Sequence, residues 1–299
     1  MAKNLFNRYI WLLDAIYKSG GITFEEINQK WRRSYLYEGK DIPLRTFHHQ
    51  RIEIENLFDV EIICNKTNYR YSIDDDSIAH NSLKTWMLNT FSAGNILNES
   101  EGIKDRIVVE NIASAQQYLI DLLCAMKNGV KVRIDYAPFY LSQTLDIILS
   151  PYFVKMYEGR WYVFGVRDDE TTVKVYALDR ITGLKPTDKR SYLPDDFSPE
   201  AYLFHSVGVI RDETKPCEIL LKAFRHHPKY LRTLPLHRSQ QEVETCDDYT
   251  VFRYFLCPTS DFYQKILAQR EYVQIVEPEH VRLEMKRIVT KLNDYYKNN

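Results

Sequence analysis

The sequence predicts a multidomain α+β protein. Its 299 residues exceed one ordinary hydrophobic core and suit two or three domains. The spacing of apolar residues also changes along the chain. It is helical at the start, alternates with tight turns in the middle, and mixes both periods after His205. A content of 44% hydrophobic and 27% charged residues belongs to a folded chain, not a disordered one. The 22 tyrosines have two readings, stacking at recognition surfaces or plain sheet propensity.

Residues 4–19 place Leu5, Tyr9, Leu12, Leu13 and Ile16 on one helical stripe, which stops at Gly20-Gly21. Thr23 is an N-cap with Glu26 as its capping-box partner, so a second helix runs to about Trp31. Pro43 starts a third helix that reaches roughly Phe58, with Leu44, Phe47, Ile54, Leu57 and Phe58 as its buried stripe. Val60–Cys64 and Tyr69–Ile73 alternate like strands and flank the loop Asn65–Asn68. Three helices followed by a hairpin is the order of a winged helix-turn-helix, here spanning 1–75.

Residues 76–128 read as a helical connector. An all-β unit follows over 129–190, with strands at 130–136, 145–157, 161–167 and 173–179 and a strand pattern that fades near Leu184. Short strands with tight turns predict a small barrel. The prolines at 186, 194 and 199 make 185–204 a linker. From 205 to 299, strand-like segments (218–222, 249–256, 273–276) alternate with helical ones (228–234, 261–269, 279–296), predicting a small α+β sandwich. The last helix carries Val281, Met285, Ile288, Leu292 and Tyr295 on one stripe.

Several classes of function are disfavoured. The five cysteines are scattered, with no Cys-x-x-Cys pair and no histidine cluster beside them, so neither a zinc site nor a disulfide framework is expected. The first 21 residues lack a small-residue cleavage site, and no segment is long and apolar enough to span a membrane, so a cytoplasmic protein is expected. No glycine-rich phosphate loop, metal-ligand spacing or nucleophile elbow is present, so we expect no enzyme, no metal and no cofactor. A net charge of −1 excludes a globally basic nucleic-acid binder but not a local basic surface.

Two groups of basic residues remain. In the third helix, Arg45, Thr46, His48 and His49 face outward and Arg51 follows, with no acid between residues 43 and 52. Arg pairs with guanine and Gln with adenine through two hydrogen bonds, so Arg45 and Gln50 suit base readout. Lys66 at the hairpin tip, with Arg32 and Arg33, suits phosphates. The alternative is a protein-docking module, because Glu53 and Glu55 would repel a phosphate backbone.

The second group lies in the all-β unit. The stretch PYFVKMYEGRWYVFGVRDDETTVKVYALDRI resembles the WYL domain, with Trp161-Tyr162-Val163 at the signature and Val in place of Leu. Tyr136, Pro151 and Asp179-Arg180-Ile181 match neighbouring features, and Pro235–Gln240 resembles a turn of the usual C-terminal extension. The resemblance implies an Sm-like small β-barrel that binds an anionic effector, such as single-stranded nucleic acid or a nucleotide, and controls a DNA-binding unit. Candidates for that site are Arg133, Tyr136, Arg160, Tyr162, Arg167, Lys174, Tyr176 and Arg180. Trp161 reads as core, and Arg180 has a competing reading as the ion-pair partner of Asp179.

The expectation is therefore a regulator that binds double-stranded promoter DNA as a homodimer, through the connector and the last helix. The alternative is a nucleic-acid-binding accessory or enzyme-modulating protein of a defence or DNA-repair system, with the N-terminal unit used for docking.

Overall fold

The computed structural model describes residues 2–74 and 116–297, which fall into two compact units divided along that gap. Most of the expected connector, 76–115, lies outside the described residues. Eight α-helices and three antiparallel sheets form among the described residues.

The first unit holds α1 (Ala2–Ser19), β1 (Ile22–Thr23), α2 (Phe24–Trp31), α3 (Leu44–Phe58), β2 (Ile62–Asn65) and β3 (Arg70–Ile73). Thr23 and Glu26 form the expected capping box: Glu26 N donates to Thr23 Oγ1 (3.2 Å) and Thr23 N donates to Glu26 Oε2 (2.8 Å). Leu12, Leu13, Ile16, Ile27, Trp31, Phe47 and Ile54 are almost fully buried and make one core. The sheet order is β1-β3-β2.

Buried Asn28 donates to the Ile42 carbonyl (3.2 Å) and accepts from its N–H (2.9 Å), fixing the chain just before α3. The buried face of α3 differs from expectation. Leu44 and Leu57 are exposed, and Gln50 is buried beside Phe47, Ile54 and Phe58. Leu44 is the first residue of the helix, one turn short of the core, and Leu57 lies off the Phe47–Ile54–Phe58 line.

The second unit opens with α4 (Gln116–Lys127) and a five-stranded sheet. Its strands are β4 (Val130–Tyr136), β5 (Leu145–Tyr157), β6 (Arg160–Arg167), β7 (Val173–Ala177) and β8 (Ile181–Arg190), in the order β7-β6-β5-β4-β8. A two-residue turn, Glu158-Gly159, joins β5 to β6 with φ of 47° and 74°, as a hairpin with the sheet's natural twist requires. A single turn of 3-10 helix (Leu178–Arg180) links β7 to β8.

Two sequence expectations change here. β8 continues to Arg190, so 185–190 is strand and not linker. Pro186 is tolerated because β8 is an edge strand, hydrogen-bonded on one side only. α4, which the sequence places in the connector, buries Leu122 and Ala125 in the same core as Val132, Ile134 and Leu149. At Gly165 a Cβ would stand 2.2 Å from the Ser150 carbonyl oxygen, so this point of β6 admits glycine alone.

The remaining residues are α5 (Pro199–Tyr202), β9 (Cys217–Phe224), α6 (His227–Thr233), β10 (Gln241–Thr245), β11 (Tyr249–Leu256), α7 (Ser260–Ala268), β12 (Val273–Glu277) and α8 (Glu279–Lys297). From β9 to β12 the order is β-α-β-β-α-β, with strands arranged β10-β11-β9-β12, the split arrangement of a small α+β sandwich. The sequence reading lacked β10. All five of its residues are exposed, so no buried alternation announces it. Along α8 only Val281 is fully buried, while Leu283, Val289, Leu292, Tyr295 and Tyr296 are exposed.

Candidate ligand-binding cavity

The five-stranded sheet carries two apolar clusters. Val132, Ile134, Tyr136, Ile147, Leu149, Val163 and Tyr176 belong to one, and Trp161 packs against it. Phe153 and Phe164, stacked with centroids 4.3 Å apart, belong to the other. A strap over residues 197–211 covers that second cluster with Phe197, Tyr202, Leu203 and Val209. Burying these side chains holds the strap on the sheet, and a polar clasp fixes its end. The buried Asp261 carboxylate accepts from the backbone N–H of both Val209 and Ile210 at 2.8 Å. Lys155 Nζ donates to the Gly208 carbonyl at 2.6 Å. Gly208 has no room for a side chain, since a Cβ there would meet Asp261 Oδ2 at 2.3 Å.

Strap and sheet together enclose a cavity of about 400 Å³. Tyr136, Arg167, Lys174, Tyr176 and Arg180 line it, as do Tyr140, Tyr202 and Arg211. Tyr136 and Tyr176 meet edge to face at 5.1 Å. Burial pushes the Tyr176 hydroxyl up to about 12, with neighbouring Arg167 acting the other way, so the phenol is a neutral donor at physiological pH.

Four cations face one carboxylate, Glu170, which pairs with Arg167 (3.6 Å) and Lys174 (3.4 Å). Asp169 also takes two hydrogen bonds from Arg167, at 3.0 and 2.8 Å. Arg180 and Arg211 pair with no carboxylate among the described residues. Arg211 hydrogen-bonds the Tyr202 carbonyl and lies over the Tyr202 ring at 4.4 Å. The Arg180 guanidinium lies over the Phe139 ring at 4.2 Å, and its Nε is buried without a hydrogen-bond partner.

Five of the eight expected residues thus come together at the cavity. The other three do not. Arg133 points to the outer face, where Asp146 accepts from its Nε at 2.8 Å. It is three residues from Tyr136 on one strand, and alternation puts residues at odd separations on opposite faces. Arg160 pairs with Asp179 at 3.3 Å, which also removes the Asp179–Arg180 ion pair considered from the sequence. Tyr162 packs with the second cluster outside the cavity wall. Tyr140, Tyr202 and Arg211 were missed. The last two reach the cavity through the strap, a tertiary path with no local signal, whereas the exposed Phe139-Tyr140 pair in the β4–β5 loop is visible in the sequence.

The expected turn Pro235–Gln240 is structural. His237 Nε2 bonds the Phe204 carbonyl (3.0 Å) while its Nδ1 accepts from Ser239 N (3.2 Å), and Gln240 bonds Leu231 O, Leu236 N and Tyr254 Oη.

In the first unit, Arg45, His48 and His49 are exposed on α3, Thr46 is half-buried, and Lys66 and Arg33 are exposed. Arg51 is tied to Glu55 at 3.8 Å, Arg32 donates to Asp41 at 2.8 Å, and Gln50 is buried, which withdraws it from base readout. Among the described residues no His/Cys/Asp/Glu group could hold a metal ion, and no helix is long and apolar enough to cross a membrane.

No curated protein matches the chain. Among solved structures it is similar to proteasome accessory factor B/C (PafBC) of Arthrobacter aurescens, at 14% identity and a TM-score of 0.27, over 74% of this chain and 36% of that one. The chain thus spans about a third of the length of PafBC. A CRISPR Cas-related protein is similar at 14% identity and a TM-score of 0.42, over 99% of this chain and 85% of that one. The family description "WYL domain" matches residues 117–186, from α4 into β8 and including every cavity residue except those of the strap. The likeness to the WYL domain is thus one of residues 117–186.

Proposed function

We propose that the chain is a ligand-responsive DNA-binding regulator: the cavity takes a phosphate-bearing nucleotide or single-stranded nucleic acid, and residues 2–74 act as a winged helix-turn-helix that binds promoter DNA. The observation that carries this reading is Arg180. A guanidinium with a buried, unpaired Nε retains hydrogen-bonding capacity that an anion would satisfy, and it sits in a cavity where cations outnumber carboxylates. The tyrosines beside it suit a nucleobase.

The exposed Arg45, His48, His49, Arg33 and Lys66 support the DNA-binding role, since none has an ion-pair partner among the described residues. A homodimer would double those contacts, and the exposed apolar residues of α8 offer a surface for it. The reading includes no catalytic step. A second reading, with the N-terminal unit docking to a protein in a defence or repair assembly, is favoured by Arg51–Glu55 and Arg32–Asp41, which neutralise part of that surface.

The test is thermal melting of the full chain with short single-stranded oligonucleotides. They should raise the melting temperature of the wild type and of Arg133→Ala by equal amounts, and that of Arg180→Ala by clearly less. An undiminished shift in Arg180→Ala would move the site elsewhere.

A further inference from the structure

Away from the cavity, the end of β9 and the chain between α7 and β12 converge on Tyr272. The ring of His227 stacks on it (centroids 5.4 Å apart, 13° between planes), and His226 lies 5.7 Å from it. Gln269 holds the other edge of His227, at 2.8 Å from Nε2. Two guanidiniums approach the same ring, Arg225 at 6.0 Å and Arg270 at 5.6 Å. Tyr230, 61% exposed, completes the group beside both histidines.

Two features set this cluster apart from ordinary surface. Arg225 and Arg270 both have left-handed backbones, with φ of 55° and 59°. Such positions favour glycine or asparagine, and Arg270 follows a helix end, where glycine is the usual residue. The chain places a cation at both, against local preference. The charge is also poorly compensated. Glu271 pairs with Arg270 at 3.4 Å, while Arg225 has no carboxylate partner among the described residues.

The geometry points to a second binding surface, at which this cluster takes single-stranded nucleic acid, with phosphates on Arg225 and Arg270 and an unstacked base on Tyr230. Cations spaced around stacked rings are the arrangement that follows a strand without reading its sequence. A single phosphate group would need no exposed ring, and an acidic peptide offers no base to stack. The surface shares no residue with the cavity and stands whether or not the cavity reading holds.

The probe is a fluorescein-labelled oligothymidine of about a dozen nucleotides, titrated by anisotropy into full-length Arg180→Ala, where the cavity contribution is removed. Adding Arg225→Gly and Arg270→Gly should weaken binding about tenfold. Glycine suits both backbones, so the variant should melt no lower than its parent. Tyr230→Ala, at an exposed ring, should weaken binding in the same direction. Ultraviolet crosslinking should mark peptides containing Tyr230 or Tyr272. Unchanged affinity in the glycine variant, crosslinks confined to other peptides, or equal competition by oligoglutamate would each overturn the proposal. Loss of binding in Arg180→Ala alone would overturn it too, while leaving the cavity reading intact.

Discussion

Asp261→Ala tests how the cavity wall is held. The carboxylate is 7% exposed and accepts two backbone N–H groups, from Val209 and Ile210, each at 2.8 Å. Removing it leaves both donors without a partner, at about 1–3 kcal/mol each, and takes an acid from the first turn of α7. Because Ile210 is only half-buried and can recover water, the estimate is about 3 kcal/mol. For a unit of this size that lowers the melting temperature by about 6–12 °C. The freed strap carries Tyr202 and Arg211, so the oligonucleotide-induced stabilisation should shrink as well.

Gly208→Ala provides the cross-check. In the wild type the new Cβ would meet Asp261 Oδ2 at 2.3 Å and Cγ at 2.6 Å, whereas in Asp261→Ala only the approach to Cβ at 2.9 Å remains. The second substitution should therefore cost clearly less when the first is present. Differential scanning fluorimetry of the four proteins, with and without oligonucleotide, measures both effects. A melting temperature for Asp261→Ala within about one degree of wild type, or an equal cost of Gly208→Ala in both backgrounds, would refute the clasp.

Two further outcomes follow from particular contacts. Burial holds the His237 imidazole below its ordinary value of 6.5, and its Nδ1 accepts from Ser239 N, so protonation would remove an acceptor inside the fold. Its folded-state value lies below its unfolded one, so this stability is complete above 6.5 and is lost as pH falls through the folded value. Melting temperature should decline over that window, and His237→Gln should flatten the slope. On α3, Arg45→Ala with Arg51→Ala should weaken binding to the protein's own promoter DNA in a gel shift at moderate salt, and unchanged binding would remove that helix as the DNA reader.

The helices were legible because each has local punctuation: Gly20-Gly21 ends α1, Thr23 and Glu26 start α2, and Pro43 starts α3. β4 and β9 were legible because each buries alternate residues. β10 was not, since an edge strand with every side chain in water has no pattern to read. β8 was cut short for a related reason. Proline and charge along it look like linker, yet an edge strand needs partners on one side only. At the cavity, residue type alone selected Tyr136, Arg167, Lys174, Tyr176 and Arg180, but also Arg133, which strand parity would have excluded. Arg211 and Tyr202 depend on the fold of the strap over Phe153 and Phe164, and no spacing in the sequence announces that.

The most direct test of the central claim, that a ligand in the cavity controls DNA binding, is a promoter gel shift with and without a saturating single-stranded oligonucleotide. The fraction of promoter bound should change on adding the oligonucleotide for the wild type and stay constant for Arg180→Ala. Wild-type binding that is indifferent to every single-stranded ligand that stabilises the protein would contradict it.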